Sequence, residues 1–206
     1  KSDTLKFPCE GSTYFDGVND YITIADDDSL DIGTSDFSFS CWVKSVQDTG
    51  ANQMIFDKYV SNTGLYIDWH TSEKVRIYIK DGSIDYYGYA NQTLSYGVWY
   101  HIAFVFDATT TNKVTFYIDG VNVGVSSEDG AGESYGSISN AGIATIGKGS
   151  TSSSYYFKGW LANMGLWKRV LSAEEINSVM RKNYSQLKSV EKTSLVSWWA
   201  LDNTEL

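Results

Sequence analysis

The chain has 206 residues, 42% of them hydrophobic and 15% aromatic, which supplies one large core and excludes intrinsic disorder. A formal net charge of −9 repels phosphate backbones and anionic lipid surfaces, so nucleic-acid binding is not expected. No apolar run approaches the roughly 20 residues that cross a bilayer, so no membrane insertion is expected either. No signal peptide opens the chain, and Lys1 in place of an initiator Met reads as a processed chain or an excised fragment.

Taken in order, the chain alternates apolar and polar residues with a period of two, the signature of half-buried strands. Phe37, Phe39, Cys41 and Val43 share one face, with Ser38, Ser40 and Lys44 on the other, where Trp42 breaks the polar side. Leu65, Ile67 and Trp69 alternate with Tyr66, Asp68 and His70, and Val75, Ile77 and Ile79 with Arg76, Tyr78 and Lys80. The stretch from Trp99 to Phe106 is apolar almost throughout and reads as a central strand covered on both sides. Val114, Phe116 and Ile118 alternate with Lys113, Thr115 and Tyr117. Asp16-Gly17, Asp81-Gly82 and Asp119-Gly120 mark turns, because Gly accepts the positive φ that such turns need. The single proline, Pro8, lies outside every expected strand.

Near the C-terminus the period changes. Ser172-Ala-Glu-Glu175 is a capping box, followed by Ile176, Val179 and Met180 at helical spacing, which predicts an amphipathic helix of about three turns on the sandwich edge. Thr193 to Leu201 returns to a strand-like pattern with Trp198 and Trp199. The Ser/Gly-rich stretches 124–142 and 148–154 read as loops at one end of the sandwich. The expectation is an all-β fold, a two-sheet antiparallel jelly-roll sandwich with one short α-helix near the C-terminus. Residues 10–185 form the domain, and 186–206 form an extension whose strand packs on it or leads to a next module.

Three blocks in order carry a family likeness. They are Tyr14-Phe-Asp-Gly-Val-Asn-Asp-Tyr-Ile22 with Phe37 to Val43; Trp99 to Asp107 leading to Phe116-Tyr-Ile-Asp-Gly120; and Ile146-Gly147, Phe157-Lys-Gly-Trp160 and Leu166 to Ile176. Together they resemble the concanavalin A-like lectin/glucanase superfamily, in its laminin G-like and pentraxin-like branch. The resemblance implies two antiparallel sheets of some 12–14 strands, one concave and one convex. The tail from Asn183 to Asp202 is similar to segments that follow such domains in bacterial surface and bacteriophage structural proteins.

The resemblance also says what to look for and not find. Glycosidases of this superfamily alternate their carboxylates as Glu-x-Asp-x-(x)-Glu on one strand, and no such pattern occurs here. Pentraxin-like domains hold paired calcium ions with an acidic run after Ile-Gly, where this chain has Lys148 and hydroxyls. The expectation is therefore a protein that is not an enzyme. A single calcium ion could sit in the loop of Asp16, Asn19 and Asp20, or that loop could be an Asx-type turn. Asp26, Asp27, Asp28 and Asp31 pose the same choice between a calcium loop and a solvated acidic one.

Few residues remain for other chemistry. Cys9 and Cys41 could be bridged, but Cys41 at an inward strand position favours a buried free thiol. His101 reads as a hydrogen-bonded core histidine and His70 as exposed. Sugar recognition needs ring faces beside polar tips, and two stretches supply them: Asp85, Tyr86, Tyr87, Tyr89 and Asn91, then Tyr155 and Tyr156. The alternative for these tyrosines is a half-buried strand role. Asn91-Gln-Thr93 and Asn183-Tyr-Ser185 are glycosylation sequons. The expected function is a non-catalytic recognition or adhesion module at an extracellular, cell-surface or virion location. It would bind carbohydrate or another surface ligand, with other subunits of an assembly as further partners. The alternatives are a purely structural virion or surface domain and, least expected, a glycoside hydrolase.

Overall fold

The computed structural model describes residues 11–110, 113–130, 132–150 and 155–202. The strands are β1 Thr13–Asp16, β2 Ile22–Ile24, β3 Phe37–Ser45, β4 Gln53–Val60, β5 Thr63–Trp69, β6 Val75–Asp81 and β7 Asp85–Ala90. They continue as β8 Tyr100–Phe106, β9 Val114–Ile118, β10 Val121–Asn122, β11 Val125–Asp129, β12 Ala144–Ile146, β13 Lys158–Trp167 and β14 Leu195–Trp199. One α-helix, α1 Ala173–Val179, occurs among the described residues. The strands pair antiparallel into two sheets. The first runs β1-β13-β3-β8-β9-β10, with β14 also on β13; the second runs β11-β7-β6-β5-β4-β12-β2.

The alternation read from the sequence is what joins the sheets. Phe37, Phe39, Cys41 and Val43 of β3 and Ile102, Phe104 and Phe106 of β8 point into one core. Leu65, Ile67 and Trp69 of β5 and Val75, Ile77 and Ile79 of β6 meet them from the second sheet. Cross-strand rings lock this layer, as where Phe39 stacks on Phe104 at 5.7 Å. The Asp119-Gly120 pair closes a two-residue hairpin, with Ile118 opposite Val121 and φ of 50° and 79° at the two turn residues. Cys41 is a buried free thiol, pushed up by burial; Cys9 and Pro8 lie outside the described residues.

A second core lies on the other face of the first sheet. Ala103 and Val105 of β8, Tyr117 of β9 and Trp167 of β13 pack against Leu171, Ile176, Val179 and Leu187. The helix therefore lies on a sheet face, not on the sandwich edge. It is also shorter than the spacing predicts, seven residues and about two turns. The Ser172 capping box forms as expected, with Glu175 N donating to Ser172 Oγ and Ser172 N to Glu175 Oε2. At the other end the chain turns out of the helix, and Asn183 opens a new capped turn in which Gln186 N donates to its side chain. Met180, the third residue of the apolar stripe, packs instead with Trp42 and Ala162.

This second core explains why Trp42 interrupts a polar face. Its ring is covered, and its Nε1 donates to the Met180 carbonyl at 3.0 Å. Ser38 on the same face is buried too, donating to the Arg169 carbonyl and accepting from Leu171 N. The tail is fastened by polar contacts. Trp167 Nε1 donates to the Glu191 carbonyl at 2.7 Å, Lys182 pairs with Glu191, and Arg169 pairs with Glu175 through two bonds. β14 lies on β13 with Gly165 opposite Trp198. The 124–142 stretch is not wholly loop, since β11 within it pairs with β7 as an edge strand.

Candidate functional site

The second sheet keeps its other face open. Register places the outward residues of β4 to β7 in rows: Asp57 opposite Tyr66, Tyr66 opposite Tyr78, and Tyr78 opposite Tyr87. The next row runs Asp68, Arg76, Tyr89. Adjacent strands are about 4.8 Å apart, so aromatic side chains in one row must touch. Tyr66 and Tyr78 stack at 4.7 Å and 12°, and Tyr59 meets each edge-on at 5.8 Å.

Arg76 is the fixed point of this face. Asp68 is fully buried and receives Arg76 Nε at Oδ1 (3.1 Å) and Nη2 at Oδ2. Burial pushes the Asp68 carboxyl up to about 6 against the lowering by the arginine, and an unpaired carboxylate there would be costly, so the clamp stays closed. The guanidinium lies 5.3 Å over the Tyr66 ring and 5.8 Å over the Tyr89 ring. Burial also raises the Tyr66 and Tyr78 hydroxyls, so both are neutral donors at physiological pH. Tyr78 donates to Asp85 Oδ1 at 3.0 Å, and Lys80 pairs with the same carboxylate.

Two clefts open on this face. The first, of about 300 Å³, is lined by Asn52, Tyr59, Tyr66, Arg76, Tyr78 and Tyr155. The second, of about 390 Å³, is lined by His70, Ser72, Lys74, Tyr87, Tyr89, Ser126 and Ser127. Beside the first cleft, Asp57 accepts from Ser150 N (3.1 Å), Ser150 Oγ (2.9 Å) and Tyr59 N (3.0 Å), which ties the loop after β12 to β4. Burial raises this carboxyl to about 6. In the second cleft, Ser72 N donates to His70 Nδ1 at 3.1 Å, so the neutral ring carries its proton on Nε2. His70 is half-buried rather than exposed, its edge against Tyr89, and burial lowers its pKa.

The residues singled out from the sequence divide. Tyr87 and Tyr89 line the second cleft and Tyr155 the first. Asp85 anchors Tyr78 and Lys80 rather than lining either cleft. Tyr86 leaves the set: it alternates inward, is wholly buried, and its hydroxyl donates to Glu128 at 2.7 Å. Asn91 follows β7 and lines neither cleft. Tyr156 turns away to Tyr21 and Lys148, whose ammonium lies 4.2 Å over the Tyr21 ring. Tyr59, Tyr66, Arg76, Tyr78 and Lys74 complete the face; the signal for Tyr66, Arg76 and Tyr78 was the polar side of their alternating strands, whereas β4, buried almost throughout, gives none for Tyr59.

The calcium loops fit a cation poorly. Asp16 Oδ1 accepts from Val18 N (2.7 Å), Asn19 N (3.1 Å) and Asp20 N (3.3 Å), and Asp20 Oδ2 from Asp16 N (2.9 Å). Hydrogen bonds to Val18 and its neighbours lower the Asp16 pKa, as in an Asx turn. In the second loop Asp26 pairs with buried Lys58 at 2.7 Å, and Asp27 caps a short 3₁₀ turn. Among the described residues no group of three or more His, Cys, Asp or Glu side chains is placed to hold a metal ion. His101 is buried in the second core side, lowered to about 3 by burial, and its Nδ1 has no partner, so it is a core histidine without the expected bond at that atom.

The fold recurs among solved structures. A candidate carbohydrate-binding protein from Bacteroides ovatus matches with a TM-score of 0.67 at 15% identity, over 93% of this chain and 51% of that one. The chain thus spans about half the length of that protein. A heptameric SAP-like pentraxin from Limulus polyphemus matches at 0.59 and 16% identity, over 92% and 91% of the two chains. The CBM40 domain of a Ruminococcus gnavus sialidase, solved with α2,3-sialyllactose, matches at 0.56 and 16%, over 79% and 97%. No curated protein sequence shows significant similarity to this one. A family model, Laminin_G_3 of the concanavalin A-like lectin/glucanases superfamily, matches residues 16–177, and the chain belongs to that family.

Proposed function

We propose that this protein is a non-catalytic glycan-recognition module of an extracellular or surface protein, and that the open face of the second sheet is its binding face. The observation that carries the reading is the stacked Tyr66–Tyr78 pair beside the clamped Arg76, lining a cleft of about 300 Å³. Ring faces offer a flat apolar platform to sugar C–H groups, while tyrosine hydroxyls, Asn52 and the guanidinium edge serve sugar hydroxyls. The Arg76–Asp68 bonds and cross-strand stacking fix this arrangement before any ligand arrives, which lowers the entropy cost of binding. The carboxylates that β4, β5 and β7 turn to this side are engaged, Asp57 by Ser150, Asp68 by Arg76 and Asp85 by Tyr78 and Lys80. That speaks against a hydrolytic pair, which needs two free carboxyl groups about 5–10 Å apart. Membership of the family and the carbohydrate-binding names of two proteins of the same fold support the reading.

A printed glycan array followed by calorimetry on the bound glycans tests it. Tyr66→Ala should weaken binding at least tenfold, about 1.4 kcal/mol, while Tyr66→Phe keeps most of it. Binding to no glycan, or binding that survives Tyr66→Ala in a folded variant, overturns the reading.

A further inference from the structure

The two clefts on the open face are not independent. Arg76 lines the first and lies over Tyr89, which lines the second, and Tyr78 of the first row stands opposite Tyr87 of the second cleft. Between the two rows the register of β6 and β7 has only Ile77 opposite Gly88, and Ile77 points into the core. From β4 to β11 the face crosses four strand spacings, about 19 Å, the length of roughly four sugar units laid across the strands.

The clefts also differ in chemistry. The first is dominated by tyrosine rings. The second carries Lys74 and His70 with three serine hydroxyls and no carboxylate in its lining, in a chain of net charge −9. Lys74 Nζ donates to Ser126 Oγ at 2.9 Å and makes no ion pair among the described residues. The adjacent carboxylate of Glu128 is turned to the Tyr86 hydroxyl. A cation held among hydroxyls and an imidazole N–H suits an anionic oxygen group, which would complete the charge that the protein leaves unpaired.

We propose that the two clefts are subsites of one groove that takes an oligosaccharide chain across the strands and places an acidic sugar unit against Lys74. This rests on the glycan-binding reading above. The first subsite supplies stacking, and the second supplies charge and end preference. Arg76, neutralised by Asp68, serves both as a shared wall.

The test uses the whole chain and an array of neutral, uronate-bearing, sialylated and sulfated oligosaccharides of two to six units, with calorimetry on those bound. The expected result is at least tenfold tighter binding of a tetrasaccharide than of its disaccharide, and at least tenfold preference for an acid-bearing chain over its neutral counterpart. Lys74→Gln should remove the acid preference while leaving the melting temperature unchanged. Disaccharides binding as tightly as tetrasaccharides, or Lys74→Gln leaving discrimination intact, overturns the proposal; if Tyr66→Ala still weakens binding at least tenfold, the glycan-binding reading stands without it. No binding to any glycan overturns both.

Discussion

The two sheets carry the same alternation on strands of similar length, yet their outer faces have opposite fates. On the first sheet, Ser38, Ser40, Trp42 and Ala103 are sealed beneath α1 and the C-terminal segment, and a second core forms. On the second, Tyr59, Tyr66, Arg76, Tyr78 and Tyr89 stay half-exposed and satisfy one another through stacking and cation–π contacts. Ser38 and Trp42 find their partners in the covering segment, at Arg169, Leu171 and Met180, whereas the buried Ser40 hydroxyl has none. An open face of tyrosines can trade its partners for a ligand. The difference teaches that alternation tells which residues point outward but not whether outward means water.

The comparison can be broken most directly at Trp167, which is fully buried in the second core and donates to Glu191. Trp167→Ala should cost about 3–5 kcal/mol in urea unfolding, far more than truncating any tyrosine of the open face. A cost within the range of surface substitutions would show that the covered face contributes little.

Acid should separate the faces next, because their buried groups carry opposite signs. His101 lies on the covered side with a folded pKa near 3 against an ordinary 6.5. The unfolded chain therefore takes up a proton first, and stability falls as pH drops below 6.5, by about 2 kcal/mol at pH 5. Asp57 on the open side is raised from 3.8 to about 6, so the folded chain protonates first. Its contribution rises by about 1 kcal/mol between pH 7 and pH 5. Urea titrations at both pH values should show a shallower loss in His101→Gln and a steeper one in Asp57→Asn. Equal slopes in both variants would remove the sign difference.

A smaller effect is expected at the helix. Ser172→Ala removes the N-cap and should cost about 1 kcal/mol, read by the same unfolding curves. Smallest of all, Tyr87→Phe on the open face should change stability by no more than about 0.5 kcal/mol, since Tyr87 is half-exposed. A larger shift would mean that this face is a structural element and not a reserve for ligands.

Much of this was legible in the sequence, for physical reasons that differ by element. Period-two runs such as Val75, Ile77, Ile79 map onto the core because side-chain direction on a strand is local. The Ser172 box is local too, and it formed as spaced. What eluded reading is non-local. Whether Trp42 meets water depends on Met180, which is 138 residues away. In the sequence the tyrosines gather in two contiguous stretches, 85–91 and 155–156, but alternation sends Tyr86 inward and Tyr156 turns to Tyr21. The assembled face instead draws one residue or two from each of four strands, and only register brings Tyr59, Tyr66 and Tyr78 together. Asp16 was ambiguous because a carboxylate reads the same whether it awaits a cation or caps its own amides.

β13 is paired along one side by β3 and along the other by β1 and then β14, in tandem. Gly11 and Asp202 come so close that a side chain on Gly11 would collide with the Asp202 carbonyl. The first and last described segments thus meet at one seam. A short linker across it, with a new opening cut in an exposed turn such as that at Gly50, would give a circular permutant with both faces intact.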